Sequence, residues 1–262
     1  MRIILSFLIL MAAVRCEAVA QRLLTGGGSS GFRSYQSGET LRYNVGYGFI
    51  KGGECRFSVT DTVIGSKTLW HIVCGGFTTG LPDVFFKVRD TYESYVDQAT
   101  ELPDKAVRNI REGRYRYYDE IVYDRDSNQV HTIKKGTQPV PEGIYDVVSA
   151  FYHARNNTFN DDLQTGDTIY YVTYFAGEIY PLRIKYRGLD VVKTDFGKVE
   201  CYKFSPITEV GRSFKTEDDM QVWISRDDSR LPIAIRFNLV VGSFYCELSR
   251  YQGLKYPLKT VK

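Results

Sequence analysis

The amino-acid sequence predicts an all-β fold in which a strongly curved antiparallel sheet, or partial β-barrel, packs around one short helix. Aromatic residues form 14% of the 262-residue chain, with 20 Tyr and 15 Phe, and such residues favour half-buried pleated strands. Apolar and polar residues alternate with period two through most of the chain, which is typical of strands with one buried face. Only residues 146 to 156 have clear helical spacing.

The first 20 residues are typical of an export signal. Arg2 precedes an apolar run, and Ala18-Val19-Ala20 forms the small-x-small pattern that signal peptidase cleaves. The run is shorter than the ~20 residues that a bilayer-spanning helix needs. We therefore expect cleavage near Ala20 and a periplasmic or secreted mature protein without a transmembrane segment. Cys16 does not favour a lipoprotein, because Arg15 stands where a small residue is required.

The sequence has no convincing domain linker after residue 38, so we predict one β-rich domain at residues 38–257, although the Pro- and Gly-containing region before the helix could separate two halves. A Gly- and Ser-rich stretch indicates a flexible lead-in over residues 21–37, and residues 258–262 form a C-terminal tail. The formal net charge is only +3, so we expect no nucleic-acid partner. The sequence does not predict the oligomeric state.

The first strands are predicted from alternation. Residues 41 to 49 alternate aromatic or aliphatic side chains with polar residues and glycines, and the glycines suggest a bend or the close approach of another element. A hairpin follows, turning near Gly65 and Ser66. Placing Cys55 opposite Cys74 puts the apolar residues of both hairpin strands on one face.

Further strands are predicted by the same alternation and by turn residues between the runs. They are residues 84–96, 106–118, 120–124, 129–134, 168–175, 178–186, 190–194, 199–205, 221–225, 232–240 and 243–251. Prolines and a glycine at residues 139–143 interrupt the pattern before the helix.

The helix is predicted to plug the sheet. Asp146 is a suitable N-cap, and Val147, Phe151 and Ala154 fall on one side of the helix. A helix of ten or so residues needs tertiary packing, so its apolar side is expected to lie against the sheet. Ser149 and His153 are one turn apart and could form a catalytic pair, but no nucleophile elbow or oxyanion loop surrounds them. We interpret them as structural.

Four cysteines remain after the signal peptide, Cys55, Cys74, Cys201 and Cys246. Four cysteines in an exported chain permit disulfides in three pairings. The hairpin register favours Cys55 with Cys74, which leaves Cys201 with Cys246. Opposed strand cysteines can equally stay reduced as small hydrophobes. The scattered spacing predicts no metal site.

The most suggestive surface is the run RNIREGRYRYYDE at residues 108–120. Arginine beside tyrosine binds phosphate or a sugar acid, which makes Arg108, Arg111, Arg114, Tyr115 and Tyr117 ligand-binding candidates. A strand with one charged and one aromatic side gives the same pattern.

Several carboxylates suggest an alternative function, that of an enzyme. Glu93, Asp97 or the region of Asp227 could supply paired acids for hydrolysis of envelope polysaccharide, with Arg111 as a substrate clamp. Acidic residues between strands are more often turn formers. We expect no catalytic residue and no cofactor.

Several segments resemble a known family: GETLRYNVGYGFIKGGECRFSV at 38–59, DTYESYVDQATELPDKAVRNIREGRY at 90–115, DVVSAFYHARN at 146–156 and VWISRDDSRLPIAIRFNLVVGSFYCELSRY at 222–251. The chain resembles the bacterial exported family of domain of unknown function 3108, in its Bacteroidetes type. That family is similar in implied architecture to open-barrel lipoprotein carriers, a fold-level analogy. The resemblance implies no reaction, cofactor or catalytic residue.

The sequence thus favours a non-catalytic, exported cell-envelope protein that binds a lipid or glycan in an aromatic cleft. Two alternatives stay open. One is the polysaccharide hydrolase described above. The other is a structural subunit of a secretion or adhesion assembly, which predicts a contiguous exposed apolar patch.

Overall fold

The computed structural model describes residues 31–207, 219–238 and 242–262, together with a short strand at Leu23–Thr25. The predicted signal peptide, part of the predicted lead-in and the end of the strand predicted at 232–240 lie outside the described residues.

The described chain contains fifteen strands and two helices. The helices are α1, Gly80–Phe85, and α2, Val147–Asn157. The strands are β1 (Leu23–Thr25), β2 (Thr40–Tyr47), β3 (Ile50–Ile64), β4 (Lys67–Thr78), β5 (Arg89–Asp97), β6 (Pro103–Glu112), β7 (Tyr115–Asp124), β8 (Gln129–Thr132), β9 (Gly136–Pro139), β10 (Thr168–Phe175), β11 (Glu178–Thr194), β12 (Gly197–Pro206), β13 (Met220–Ser225), β14 (Pro232–Asn238) and β15 (Ser243–Gln252).

All fifteen strands belong to one sheet, ordered β1-β10-β11-β12-β13-β14-β15-β2-β3-β4-β5-β6-β7-β8-β9. Neighbouring strands are antiparallel except for β1 and β10. The sheet does not close, but its ends approach each other: Tyr145, before α2, pairs with Thr173 of β10, and the Tyr174 hydroxyl donates to Gln138 of β9 at 2.5 Å. The predicted all-β class, a curved sheet or partial barrel around a helix, is confirmed.

Several element boundaries differ from the sequence prediction. The strands predicted at 178–186 and 190–194 form one continuous strand, β11. Residues 80–85, partly assigned to a strand, form α1. The strand predicted at 106–118 is divided by a turn at Gly113, whose φ of 54° suits glycine. Strand β9 was not predicted because Pro139 was interpreted as a breaker. It lies at the sheet edge, where a proline removes no ladder hydrogen bond.

The first hairpin turns at Gly65 and Ser66 as predicted, but its register differs. Phe57, rather than Cys55, lies opposite Cys74, and Cys55 lies opposite Gly76. The two-residue turn pairs Ile64 with Lys67 and fixes this register. A shift of two residues keeps every side chain on its predicted face, so the apolar set still points to the core.

A close approach at a glycine of β2 is confirmed. The Tyr245 ring of β15 packs on Gly46, where an added Cβ would lie 2.3 Å from the ring. The ladder between β2 and β3 also shifts register at Gly46. A larger residue here would displace the tyrosine.

The segment before β2 is packed, contrary to the predicted lead-in. Ser34 and Tyr35 are buried, and the Tyr35 ring lies 4.9 Å from that of Trp70 and 4.8 Å from that of Tyr152. At the other terminus, Val261 forms a bridge with Lys198 of β12. The tail predicted at 258–262 therefore contacts the sheet.

Candidate functional site

Helix α2 begins with a capping box. The Asp146 carboxylate accepts from the Val148 and Ser149 amides at 2.8 and 3.0 Å, and the Ser149 hydroxyl accepts from the Asp146 amide at 3.0 Å. Ser94 of β5 donates to the other carboxylate oxygen at 2.6 Å. Burial raises the pKa of Asp146, and these hydrogen bonds oppose that rise. The predicted N-cap is thus present and tied to the sheet.

Arg155 anchors the far end of α2 through a buried ion pair. Its guanidinium donates to both carboxylate oxygens of Glu39, at 2.6 and 3.0 Å. It also donates to the main-chain oxygens of Ser229 and Arg230, at 3.0 and 3.1 Å. Burial alone lowers the pKa of Arg155, but the Glu39 carboxylate holds it above its ordinary value. The helix end is therefore fixed to the segments before β2 and β14.

Glu101 forms a second buried anchor. Its carboxylate lies 3.0 Å from His153 Nδ1 and accepts from the side-chain amides of Asn156 and Asn157, both at 2.6 Å. Arg33 lies 2.8 Å away. His153 therefore faces Glu101, while the Ser149 hydroxyl donates to the Asp146 carbonyl. The two residues contact different partners, which supports the structural interpretation of this pair.

The helix contacts the sheet differently from the sequence expectation. Its polar side chains, including Ser149, His153 and Arg155, are buried, whereas Val147 and Phe151 are half-buried. Val147 and Phe151 border a cavity between the helix and the sheet, together with the buried Ala154. The apolar side of the helix packs on the sheet, with Ala154 and Phe151 in one cluster with Phe204. Two buried ionic clusters fix the other side of the helix in addition, and the sequence pattern does not predict them.

The cavity has a volume of about 140 Å³. Its lining consists of aliphatic, aromatic and sulfur-containing side chains from α2, the loop after it and both halves of the sheet. They are Tyr43, Cys55, Phe57, Cys74, Tyr92, Val147, Val148, Ala150, Phe151, Ala154, Phe159, Tyr171, Leu182, Ile184, Phe204, Pro206, Met220, Val222, Pro232, Ile235 and Cys246. No charged side chain is among these described lining residues.

Most of these residues were not identified from sequence as a site. Alternation assigns Phe204, Leu182 and Ile235 to the inward face of their strands, and that is the only signal they carry. The curvature of the sheet decides whether an inward side chain contacts another side chain or lines a cavity. The alternation of apolar and polar residues does not predict that curvature.

The polar atoms at the cavity wall are phenol hydroxyl groups and thiols. Burial raises the pKa of the Tyr43 hydroxyl well above its ordinary value, and within the described residues this hydroxyl has no hydrogen-bond partner. The pKa values of the Cys74 and Cys246 thiols are raised by hydrogen bonding with Cys55 and by burial. At neutral pH the Tyr43, Cys74 and Cys246 groups are therefore uncharged, whereas hydrogen bonds from Cys246 and Cys74 hold the pKa of the Cys55 thiol below its ordinary value.

The disulfide prediction is not supported. The thiols of Cys55, Cys74, Cys201 and Cys246 are free and buried, and the Cys55 and Cys74 sulfurs are 4.0 Å apart. Cys246 neighbours Cys55, not Cys201, whose thiol donates to the Val199 carbonyl at 3.5 Å. The two-residue register difference moves Cys55 and Cys74 from opposed to diagonal positions.

The five ligand-binding candidates are divided between the two faces of the sheet. Arg108 and Tyr117 are half-buried, with the guanidinium 4.9 Å from the tyrosine ring and 4.8 Å from that of Phe175. Arg111 and Arg114 are exposed. Tyr115 opposes Glu112 at the end of the β6–β7 hairpin. The candidates therefore do not form one binding surface.

The candidate acids of the hydrolase alternative have structural partners. Glu93 lies 2.7 Å from His71 Nε2, and Asp97 accepts from the Ala99 amide at 2.8 Å. Asp227 accepts from Ser229 and Arg230 in the turn before β14. Glu93 and Asp97 lie on β5, Asp97 at its end, and Asp227 lies in the turn between β13 and β14. Within the described part of the chain, no group of His, Cys, Asp or Glu is suited to hold a metal.

The fold and cavity define a barrel-like β protein with a helical plug. The chain belongs to the family described as Protein of unknown function (DUF3108), whose model matches residues 42–249. It is similar in fold to the crystal structure of a beta-barrel-like protein of domain of unknown function DUF1849 from Brucella abortus. That match has a TM-score of 0.52 and 8% identity, and covers 82% of this chain and 96% of that chain. Among curated proteins, none matches the chain.

No helix in the described ranges combines the length and apolar character needed to cross a bilayer.

Proposed function

We propose that this protein is a non-catalytic binding protein of the cell envelope whose cavity holds an apolar segment of a lipid. The observation that carries the proposal is the cavity lining, which is built from apolar side chains with a few thiol and phenol groups among them. Cavities with such walls stay dry and accept apolar molecules. Export and the Bacteroidetes type of the family are supported by sequence alone and form part of the proposal.

The cavity volume limits what can enter. A volume of about 140 Å³ is close to that of an engineered cavity of roughly 150 Å³ that binds benzene or xenon, and below the roughly 300–1,000 Å³ of drug-sized sites. The cavity therefore accommodates one segment of an acyl chain. The remainder of the lipid, including its polar head, would lie outside.

The helix anchors explain why the space persists. A void loses dispersion contacts, and surrounding groups move inward when they can. The Arg155–Glu39 pair and the Glu101 cluster hold α2 from its buried polar side. Moving the helix toward the cavity would break those ionic contacts. The ion pairs on the polar side of the helix therefore keep the cavity on its other side open.

A glycan is a weaker fit than a lipid chain. Sugar hydroxyl groups need hydrogen-bond partners once they leave water. Within the described lining the polar atoms are phenol and thiol groups, and only the buried Tyr43 and Tyr92 hydroxyls lack a hydrogen-bond partner. Of the two ligands expected from the sequence, a lipid or a glycan, we therefore propose the lipid.

The proposal is tested with dansylaminoundecanoic acid, whose fluorescence rises in apolar surroundings. Val222→Trp places a larger side chain at the cavity wall, and Val63→Trp adds the same group at an exposed position. We expect the first variant to weaken probe binding by about tenfold or more, which corresponds to ~1.4 kcal/mol. The control is expected to bind like the original chain.

Urea unfolding of both variants separates loss of the cavity from loss of the fold. Failure of the original chain to bind the probe, or equal binding by a folded Val222→Trp variant, would overturn the proposal.

A further inference from the structure

One rim of the sheet exposes large apolar side chains on two adjacent segments. We define the apolar rim as Phe49 and Ile50, at the β2–β3 turn, and Leu81, Val84 and Phe85, on α1. Their exposed fractions are 96%, 54%, 70%, 79% and 79%. Helix α1 buries none of its residues. Single exposed hydrophobes are ordinary, but a group of five on neighbouring segments indicates an interaction surface.

Direct contacts place the two segments side by side. The Thr79 amide, at the start of α1, donates to the Gly52 carbonyl of β3 at 3.0 Å. Pro82 of α1 packs so closely on Gly52 that an added Cβ would lie 3.2 Å from its ring. Helix α1 therefore lies over the end of β3 where Ile50 begins the strand.

The turn between β6 and β7 joins the same rim. The Gly113 amide donates to the Lys87 carbonyl at 2.8 Å, and a Cβ on Gly113 would lie 2.8 Å from the Phe86 ring. Arg116 folds back to donate to the Gly113 carbonyl at 2.8 Å. The residues that follow α1 are thus in contact with a turn that carries arginines.

The charges around the apolar rim are mainly positive. Lys51, Lys87, Arg114 and Arg116 are exposed on these segments. The acidic residue of α1, Asp83, is held in a two-bond ion pair with Arg89, at 2.7 and 2.9 Å. Glu112, beside the turn, is buried. Four exposed cations therefore surround the apolar side chains without matching exposed carboxylates on the same segments of the described chain.

We propose that the apolar rim and these four cations dock the protein on an anionic lipid bilayer. Apolar side chains bordered by Lys and Arg suit the interface of such a membrane, where the side chains enter the acyl boundary and the cations meet the headgroups. The central part of a protein interface is instead depleted of lysine. This inference goes beyond the proposed function, because it concerns the outer rim and does not require the cavity to bind a lipid.

Flotation with vesicles tests the proposal. The protein is mixed with phosphatidylcholine vesicles or with vesicles that also contain phosphatidylglycerol, and the fraction that floats is measured. We expect binding to the anionic vesicles that weakens at high salt. A Val84→Ser/Phe85→Ser variant is expected to lose about tenfold or more of its partition, because two large apolar side chains no longer enter the interface.

Two further variants separate insertion from charge. Val63→Ser/Ile64→Ser removes two exposed hydrophobes at the opposite end of β3 and is expected to float like the original chain. Lys51→Gln/Lys87→Gln/Arg114→Gln is expected to lose the preference for anionic vesicles.

The remaining outcomes count against a bilayer. The proposal is overturned if the original chain floats with neither vesicle type, or if the Val63/Ile64 control loses as much binding as the α1 variant. It is also overturned if light scattering shows a dimer that the α1 variant converts to a monomer while neither protein binds vesicles. The last result would assign the rim to a second copy of the chain.

Discussion

Arg155 and Glu39 form a two-bond ion pair in the protein interior, at 2.6 and 3.0 Å. Their side chains are 0% and 1% exposed. One partner lies on α2 and the other just before β2, 116 residues apart in sequence. The pair therefore connects the plug helix to the segment that precedes the first long strands.

Glu39→Gln is expected to lower the free energy of unfolding by about 3–5 kcal/mol, because the Arg155 guanidinium would lose its compensating charge while staying buried. Urea unfolding measures the change. Glu247→Gln is the control, since its 3.4 Å pair with Arg236 is exposed and is expected to contribute less than about 1 kcal/mol. Equal effects of the two variants would contradict the account.

Acid should weaken the second anchor. Burial alone raises the pKa of Glu101, but hydrogen bonds from His153, Asn156 and Asn157 and the charge of Arg33 hold it below the ordinary value of 4.5. A carboxyl with a lowered pKa contributes stability above the unfolded-state pKa, and this contribution is lost as pH falls through the folded-state pKa. We expect the stability attributable to Glu101 to decline below about pH 4.5.

Unfolding of Glu101→Gln from about pH 3 to pH 7 tests this expectation. The variant should be less stable at neutral pH by about 1–3 kcal/mol and should show a shallower acid dependence. Glu142→Gln, at an exposed position, is the control. An unchanged acid dependence in Glu101→Gln would contradict the assignment.

Asp90 should have the opposite pH dependence. Burial raises the pKa of Asp90 to about 6. The nearby Glu112 adds to this rise, and a hydrogen bond from the Arg111 amide opposes it. A raised carboxyl pKa means that stability is greatest below the ordinary value of 3.8 and is lost as pH rises through the folded-state value. Asp90→Asn is therefore expected to stabilise the protein by about 1–3 kcal/mol at pH 7.

The gain should disappear near pH 4, where the native carboxyl is already protonated. Asparagine keeps an oxygen that can accept from the Arg111 amide, as Asp90 does at 2.9 Å. Urea unfolding at both pH values measures the difference, with Asp126→Asn in an exposed turn as the control. A loss of stability at both pH values would contradict the prediction.

The free thiols predict that reductant leaves stability unchanged. Cys55, Cys74, Cys201 and Cys246 are reduced in the structure, so the urea midpoint should be the same with and without a reducing agent. A native disulfide would instead contribute about 2–4 kcal/mol. Alkylation under denaturing conditions, followed by mass spectrometry, gives an independent check. Additional alkylation that appears only after reduction would contradict the free-thiol state.

Local signals predicted the parts of the fold that depend on neighbouring residues. Asp146 caps α2 because a short acidic side chain reaches the first free amides of a helix. Gly65 and Ser66 form the predicted hairpin turn. Period-two alternation fixed which side chains point inward, and that assignment survived the register error because a two-residue shift does not change the face.

Long-range partners were beyond these signals. Glutamate is usually exposed to solvent, so nothing in the sequence indicates that Glu39 and Glu101 are buried. They contact α2 only in the folded protein. Helical spacing grouped Val147 with Phe151 but could not distinguish packing on a sheet from lining a void. Arg108 and Arg111 belong to one continuous basic run, yet they differ in burial because the strand places them on opposite faces.

Native mass spectrometry of the protein isolated from its own source tests the central claim most directly. If the cavity beside α2 holds a lipid chain, the spectrum should show a lipid adduct that is released on unfolding and is absent from a folded Val222→Trp variant. A spectrum of the apo mass alone, or an adduct retained equally by Val222→Trp, would contradict the claim.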